Sequence, residues 1–575
     1  MRIRKSEVVS ILNLTMALSA NTIGIQCQTR RTQMLRRLIF PILFTVAPAA
    51  VVAQQACEGL KNLHLPNVTI TSTVLIPTGP GPGVPGFPSP KTIVPEHCAV
   101  QAIARPTSDS EIHLDVWLPT ATNWNGKYEQ WGNGGWAGSI MLAYLADGVS
   151  RGYAVAATDD GHTGNSTDAS WAIGHPEKLV DFAYRAVHLT SIDAHAIIQT
   201  FYSKDSLRSY FVGCSDGGRE ALMEAQRFPE DFDGIVAGAP ANNWSGLSAA
   251  MAWDEQALLG TPGSAIPPAK LPAIQKAALA ACDTLDGVKD GLIEDPRACH
   301  FNPDVLLCAP GTDSPDCLTK PQLTALKKIY AGPKDPRNGK QLYPGLAPGT
   351  ENGMGGWSVW VTPSNPESAL QFKFANSYFG QAVLEQQNWD FRTLTFTDDL
   401  EFADRKDGWV LSANNPDLRS FRDHKGKLIQ YHGWGDAALS PYNSINYYES
   451  VEDFMSKYPD PRSDTSKPVS DFYRLFMVPG MGHCGLGAGP NRFGDPLQAT
   501  APNDPERDVL AALDKWVETG VAPDHIVGEG SVSGDSSKKL TRPLCPYPQV
   551  ARYKGQGDPY VAASFECAVP DSAKH

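Results

Sequence analysis

The chain of 575 residues has no C-x-x-C pair and no Cys/His spacing of the zinc-ligand kind. A structural zinc site is therefore not expected, and neither is a metalloenzyme built on a His-rich ligand set. No G-X-Y period orders its 51 glycines and 46 prolines. That excludes collagen and points instead to many turns and long loops. No internal repeat is visible. Basic residues are outnumbered, with 49 Lys+Arg against 62 Asp+Glu and a formal charge of −13. A nucleic-acid partner, which needs clustered Lys and Arg, is not expected. Nor is any apolar run long enough for a comfortable membrane span, so no stable membrane association is expected. Hydrophobic residues make up 42% of the chain, enough to bury a sizeable core and to exclude global disorder.

The N-terminus carries a processing signal. After Met34, Arg36-Arg37 forms a short basic region and Leu38 to Ala47 an apolar one. Val51-Val52-Ala53 then places small residues before Gln54, the pattern of a secretory signal peptide. Residues 1–33 lack an apolar core of this kind, so Met34 is read as the true start. Loss of residues 1–53 removes seven basic residues and one acidic residue, moving the formal charge from −13 to −19. An acidic, exported (extracellular or periplasmic) protein is expected. Cys27 lies in the discarded part, leaving an even number of cysteines for an oxidising compartment.

Strand and helix signals then alternate. Residues 111–117, 127–131 and 153–157 read as strands. Pro176 starts a long helix with Leu179, Phe182, Ala186 and Leu189 on one face. Strand 209–212, helix 220–226 and strand 235–237 follow. The alternation fades after about residue 242 and resumes with strands at 428–431 and 472–478. Asp504-Pro505 is read as the start of a last helix, which Gly520 ends. The expected fold class is α/β, a mostly parallel sheet with helices on both faces. The organisation is a leader (1–53), a first core part (54–241), an inserted lid (242–422) and a second core part (423–575).

Gly213-Cys214-Ser215-Asp216-Gly217 fits G-x-S-x-G and lies between a strand and a helix. A serine on a tight strand-to-helix turn needs small neighbours, and the turn exposes its Oγ. In this architecture the acid and then the histidine follow the serine along the chain. His483 directly follows a strand, in a loop suited to a general base. Asp436 can orient its imidazole; the competing reading is a turn-capping Asp. His432 is read as structural. The oxyanion donors are read as the backbone amides of Asp216 and of Gly134, with Gly135 close behind.

Cys214-Ser215 together with His483-Cys484 resembles the tannase/feruloyl esterase family, which includes mono(2-hydroxyethyl) terephthalate hydrolase. Gly132 to Gly138, Thr158 to His162 and Gly238 to Ala241 are similar as well. The resemblance spans residues 57–570 and implies an α/β-hydrolase core with a large lid. It implies a disulfide Cys214–Cys484 beneath the triad, and the pairs Cys57–Cys98, Cys282–Cys299, Cys308–Cys317 and Cys545–Cys567.

Asp283, Asp286 and Asp290 crowd three carboxylates into eight residues. By spacing alone this is equally a Ca²⁺ loop or an Asp/Gly turn. The resemblance implies a structural Ca²⁺ in the lid, held by Asp283, Asp286 and Asp290 side chains and the Val288 and Leu292 carbonyls. The implied activity is hydrolysis of aromatic esters, feruloyl-type or galloyl, free or linked to plant polymers. The alternatives are a tannase, a hydrolase of terephthalate-type monoesters, and a non-catalytic binding protein on the same fold. Aromatics of the insertion, from Trp357 and Trp360 to Phe374 and Trp409, are read mostly as lid core. Leu439 is expected to border the pocket. The oligomeric state stays open.

Overall fold

The computed structural model describes residues 56–83, 93–459, 468–494, 503–532 and 535–570. The leader and its Met34 start lie outside the described residues.

Nine strands form the main sheet: β1 (Val68–Ile76), β2 (His97–Ala104), β3 (Ile112–Pro119), β4 (Lys127–Trp131), β5 (Ala154–Thr158), β6 (Arg208–Cys214), β7 (Gly234–Gly238), β8 (Lys427–Gly433) and β9 (Tyr473–Val478). Their spatial order is β1-β2-β3-β5-β4-β6-β7-β8-β9. The first three strands and β5 pair antiparallel; from β5 onward every pair is parallel. The parallel strands are short and largely apolar because helices cover both faces. Alternate residues divide between two cores. Phe211, Ile235 and Leu428 pack on one face with Leu222 and Met223. Tyr210, Val212 and Ile429 pack on the other with Leu145, Leu513 and Trp516.

The sequence expectations for β3 to β9 match these spans within a residue or two. Two helices differ. The helix from Pro176 passes through a π turn at Asp181–Arg185 before continuing as Ala186–Tyr202. The buried Arg219 donates to the Phe182 and Ala183 carbonyls of that turn, which gives the irregular backbone its partners. The last helix, Val509–Thr519, is capped by Asp508 rather than begun by Asp504-Pro505. Asp508 Oδ1 accepts from the Leu510 and Ala511 amides, and Arg151 pairs with its other oxygen. Gly520 ends the helix in the left-handed region, as expected.

Residues between Gly238 and Lys427 add no strand to the main sheet. They fold mainly into helices, among them Trp244–Leu259, Leu271–Cys282, Lys320–Ala331 and Leu370–Ala375. Several of their residues (Trp244, Tyr378, Phe379) share a buried cluster with Trp136 and Phe182 of the core. After β9 a three-stranded sheet (Gly489–Arg492, Ile526–Val532, Asp535–Leu544) and a short pair (Val550–Tyr553 with Phe565–Ala568) follow. The ten remaining cysteines form the five expected pairs, Cys57–Cys98, Cys214–Cys484, Cys282–Cys299, Cys308–Cys317 and Cys545–Cys567.

Candidate active site

Ser215 sits where β6 ends and helix Asp216–Arg227 begins, with φ 67° and ψ −118°. A non-glycine residue in this region stores roughly 1–3 kcal/mol and persists only when its surroundings over-determine it. Here they do. Ser215 N donates to Gly238 O at 3.0 Å, and Ser215 O accepts from Arg219 N and Ala241 N. The flanking glycines are required by close approach. A Cβ at Gly213 would meet Gly217 O at 2.3 Å, and one at Gly218 would meet Gly238 O at 2.2 Å.

His483 and Asp436 arrive on the loops after β9 and β8. His483 Nδ1 donates to Asp436 Oδ2 at 2.7 Å. That bond fixes the tautomer and leaves Nε2 with the lone pair a general base needs. Asp436 Oδ1 accepts from the Ala438 and Leu439 amides. His432 Nε2 lies 3.1 Å from Asp436 Oδ2, while its Nδ1 meets Ser444 Oγ at 2.7 Å. His432 thus supports Asp436 directly, a contact that the sequence reading as a structural residue did not reveal. Burial opposes ionisation of Asp436, but the His483 charge and the bonds from both imidazoles outweigh it and hold the carboxyl well below the usual carboxylate range.

Disulfide Cys214–Cys484 holds the neighbours of Ser215 and His483 with a Cα–Cα distance of 6.0 Å. Ser215 and His483 both line one cavity of about 420 Å³. No hydrogen bond joins Ser215 to His483 among the described residues; without ligand a contact between a nucleophile candidate and its base is often long and tightens only when substrate binds. Gly134, Gly135 and Asp216 line the same cavity. Gly135 has φ +62°, and a Cβ there would meet Ser166 O at 2.2 Å. Asn133, just before Gly134, is tied to helix Asp216–Arg227 in both directions: Gly217 N donates to Asn133 O at 2.8 Å, and Asn133 N donates to Glu220 Oε2 at 3.0 Å.

The cavity wall is mostly apolar. Trp360 and Phe374 reach it from the insertion, and the Trp360 ring stands edge-on to His483 with centroids 5.2 Å apart. Trp357 and Phe391 are buried within the insertion, and Trp409 is exposed. Leu439 borders the cavity, as do Trp136, Trp244, Leu247 and Met251. Sequence reasoning missed these last four because the wall is assembled from separate segments with no common period. Among the described residues, no lysine or arginine lines it.

The acidic segment from Asp283 folds into a tight loop. Asp283 accepts from the Asp290 and Gly291 amides, Asp286 from Val288, and Asp290 from Leu292. Arg542 is ion-paired with Asp286, Asp290 and Glu294, whose side chains are all buried. Asp286 Oδ2 is buried without a hydrogen-bond donor. Burial pushes Asp286 up to about 6 and Glu294 to about 7. Among the described residues, the groups that bring three ligand atoms within 4.8 Å of one another lie elsewhere, at His188–Glu224–Asp231 and Asp160–Asp216–Glu220.

The family model described as tannase and feruloyl esterase matches residues 98–568. The chain belongs to this family. An uncharacterized esterase of Xanthomonas campestris pv. campestris is 40% identical over 538 residues, 90% of this chain and 91% of that protein. A protein named probable feruloyl esterase B-2, of Aspergillus terreus, is 32% identical over 92% of this chain and 99% of its own length. The crystal structure of feruloyl esterase B from Aspergillus oryzae superposes with a TM-score of 0.80 at 32% identity, covering 90% of this chain and all of that one. Tannin acyl hydrolase from Aspergillus niger has the same fold, with a TM-score of 0.70 at 23% identity over 90% of this chain and 94% of its own. This member of the tannase and feruloyl esterase family is thus an α/β-hydrolase and a carboxylic ester hydrolase. Among the described residues, no helix is long and apolar enough to cross a membrane.

Proposed function

We propose that the protein is a secreted serine esterase that cleaves aromatic, hydroxycinnamoyl-type esters through an acyl-enzyme. The observation that carries this reading is the strained Ser215 facing the cavity that also holds the His483–Asp436 pair, with Cys214–Cys484 joining the two loops. Ser215 Oγ attacks the ester carbonyl while His483 Nε2 takes its proton. The carbonyl oxygen becomes an oxyanion that accepts from the amides of Asp216 and of Gly134 or Gly135, none of which donates to a protein acceptor among the described residues. The alcohol leaves with the proton from His483. A water molecule, deprotonated by His483, then attacks the acyl-enzyme and releases the acid.

The wall chemistry favours a neutral aromatic acyl group. Trp360, Phe374 and Trp136 offer ring faces and edges. A terephthalate monoester would bring its free carboxylate into a cavity with no lysine or arginine on its described wall, a costly desolvation. A galloyl ester is the second reading, supported by hydroxyl groups on the wall at Ser139, Tyr144, Ser166, Thr167 and Ser248. Residues 242–422 act as the lid that supplies Trp360 and Phe374. Export is supported by the signal pattern after Met34 and by five disulfides.

Calcium is part of the same proposal. Asp283, Asp286, Asp290 and Glu294 gather around one loop with the single Arg542 guanidinium, and one carboxylate oxygen lacks a donor. An all-oxygen site with excess negative charge fits Ca²⁺. Asp283, Asp286 and Asp290 with the Val288 and Leu292 carbonyls would hold it, and its contribution would be to order this loop.

The deciding experiment is turnover of methyl ferulate, methyl caffeate, methyl gallate and mono(2-hydroxyethyl) terephthalate, with Ser215→Ala as control. Fast hydroxycinnamate cleavage that Ser215→Ala lowers by several orders of magnitude is expected. Preference for gallate would move the assignment to tannase. Near-normal rates in the Ser215→Ala variant would refute the mechanism. No turnover by folded wild-type protein would favour a binding protein on this fold.

A further inference from the structure

Beneath the nucleophile turn, three carboxyl groups meet in a place the mechanism does not use. Asp160, Asp216 and Glu220 bring ligand atoms within 4.8 Å of one another, and all three are at most 1% exposed. The cation facing them is Arg219, itself fully buried; its Nε donates to Asp216 Oδ1 at 2.5 Å. Its remaining nitrogens are spent on the Phe182 and Ala183 carbonyls. Both oxygens of Asp160, Glu220 Oε1 and Asp216 Oδ2 have no donor. Three buried carboxylates against one guanidinium would leave two uncompensated charges in a dry interior, which is prohibitive. A proton shared within the cluster removes one of the two, and the Asn133 amide donates to Glu220, which carries the other; burial pushes both Asp160 and Asp216 up.

The other oxygen of Glu220 has a definite task. It accepts from the Asn133 amide at 3.0 Å, one residue before Gly134. Contact there is tight, because a Cβ at Gly132 would come 2.5 Å from Glu220 Oε2 and 2.7 Å from Gly217 Cα. On its other side Asn133 Nδ2 donates to Thr158 O at 2.8 Å, at the corner that places Asp160 with φ 61°. The loop of the second oxyanion donor is therefore clamped between the nucleophile helix and the Thr158–Asp160 corner.

We propose that Glu220 is a positioning residue for oxyanion stabilisation: it holds the Asn133 amide, and thereby Gly134 and Gly135, while a protonated Asp160 carboxyl donates to its other oxygen. Glu220 does not touch substrate. It fixes the distance between two donor sets that must converge on one atom, a distance in which about 1 Å of error is expensive. The proposal rests on the serine-esterase reading above.

The test compares Glu220→Met, which removes the acceptor, with Glu220→Gln, which keeps an acceptor oxygen for Asn133 and supplies an N–H toward Asp160. Loss of one oxyanion donor typically costs about 10²–10³-fold in kcat. Glu220→Met is expected to lose about 10²-fold in kcat with KM within about 3-fold, and to bind an aryl boronate, whose tetrahedral adduct mimics the oxyanion, weaker by a similar factor. Glu220→Gln is expected to recover most of that loss. A folded Glu220→Met with kcat within about 3-fold of wild type overturns the proposal, as does a rise in KM alone. Stoichiometric metal that is present in wild type and lost in Glu220→Gln, by elemental analysis, also overturns it, since a cation and not a proton would then hold the cluster. If Glu220→Met does not fold, the infrared difference between wild type and Glu220→Gln at neutral pH decides. Loss of a protonated-carboxyl band supports the shared proton, and no loss refutes it. Ser215→Ala separates the two levels: if it stays active the esterase reading fails, whereas its inactivity with an active Glu220→Met fails the positioning role alone.

Discussion

Asp436 shows how much one carboxylate is asked to do. Two backbone amides hold Oδ1, two imidazoles share Oδ2, and the side chain is closed to solvent. Replacing it with Asn keeps the shape but presents an amide that permits the wrong His483 tautomer. Asp436→Asn is expected to lower kcat by about 10³–10⁴-fold with little change in KM, measured on methyl ferulate. A loss below about 10-fold would show that His483 is oriented by something else. Glu129, in β4, makes a different kind of prediction. It is fully buried, both its oxygens lack a donor, and burial pushes it up to about 8 despite the Arg151 charge. Its folded value lies above its unfolded one, so between about pH 4.5 and pH 8 the native state keeps a proton that the unfolded chain releases. Stability must fall as pH rises through that window. Glu129→Gln removes the dependence. Its melting temperature relative to wild type should climb from about pH 5 to about pH 8, by the equivalent of about 1–3 kcal/mol. A constant offset across the range would mean that Glu129 is ionised throughout.

At the scale of elements, what is legible in the sequence and what is not divides on locality. Strands β6, β8 and β9 announce themselves as short apolar runs that lead into glycine or the site loops, because a parallel strand buried on both faces has little other composition open to it. β1 and β2 carry no such signal; in β1, Val68–Ile76 mixes intermediate and exposed positions at the sheet edge. Ser215, Asp436 and His483 are readable because strand-end geometry dictates their local neighbours. The cavity wall is not, because Trp136, Trp244 and Met251 meet only after the insertion folds back on the core. Nor is the Asp508 cap, which lies one helical turn beyond the expected Asp504 and is identified only by its bonds to Leu510 and Ala511. The acidic loop at Asp283 to Asp290 carries the prediction at this scale. Chelation with EGTA should lower the melting temperature, since a ligand at about 100 times its Kd stabilises by about 2.7 kcal/mol. Asp286→Ala should melt lower in buffer and no longer respond to EGTA. Calorimetry that shows no response in wild type would remove calcium from the proposal and leave Arg542 as the neutralising group of the loop.

For the whole molecule, the decisive feature is that the two halves of the main sheet are separated in sequence by the insertion and rejoined at the site. β7 pairs with β8 in register, Gly238 opposite Tyr431, although nearly the whole insertion lies between them. Cys214–Cys484 closes the same gap covalently, across a sequence separation of 270, whereas Cys308–Cys317 closes only 9 residues within the insertion. In the chain-entropy model the long loop is worth about 5.6 kcal/mol and the short one about 2.6 kcal/mol. The two therefore differ in stability by about 3 kcal/mol, and they differ in function as well. Of these two bridges, only Cys214–Cys484 fixes the serine turn against the histidine loop. Replacing both cysteines of each pair by alanine should destabilise the variant lacking Cys214–Cys484 by about 3 kcal/mol more than the other. The variant lacking Cys214–Cys484 alone should lose kcat, by about 10-fold or more, because the nucleophile and base would no longer be held in register. Denaturant unfolding gives the first comparison and turnover of methyl ferulate the second. Equal kcat in the two folded variants would mean that the sheet pairing of β7, β8 and β9 aligns the site unaided, and that the disulfide serves stability only.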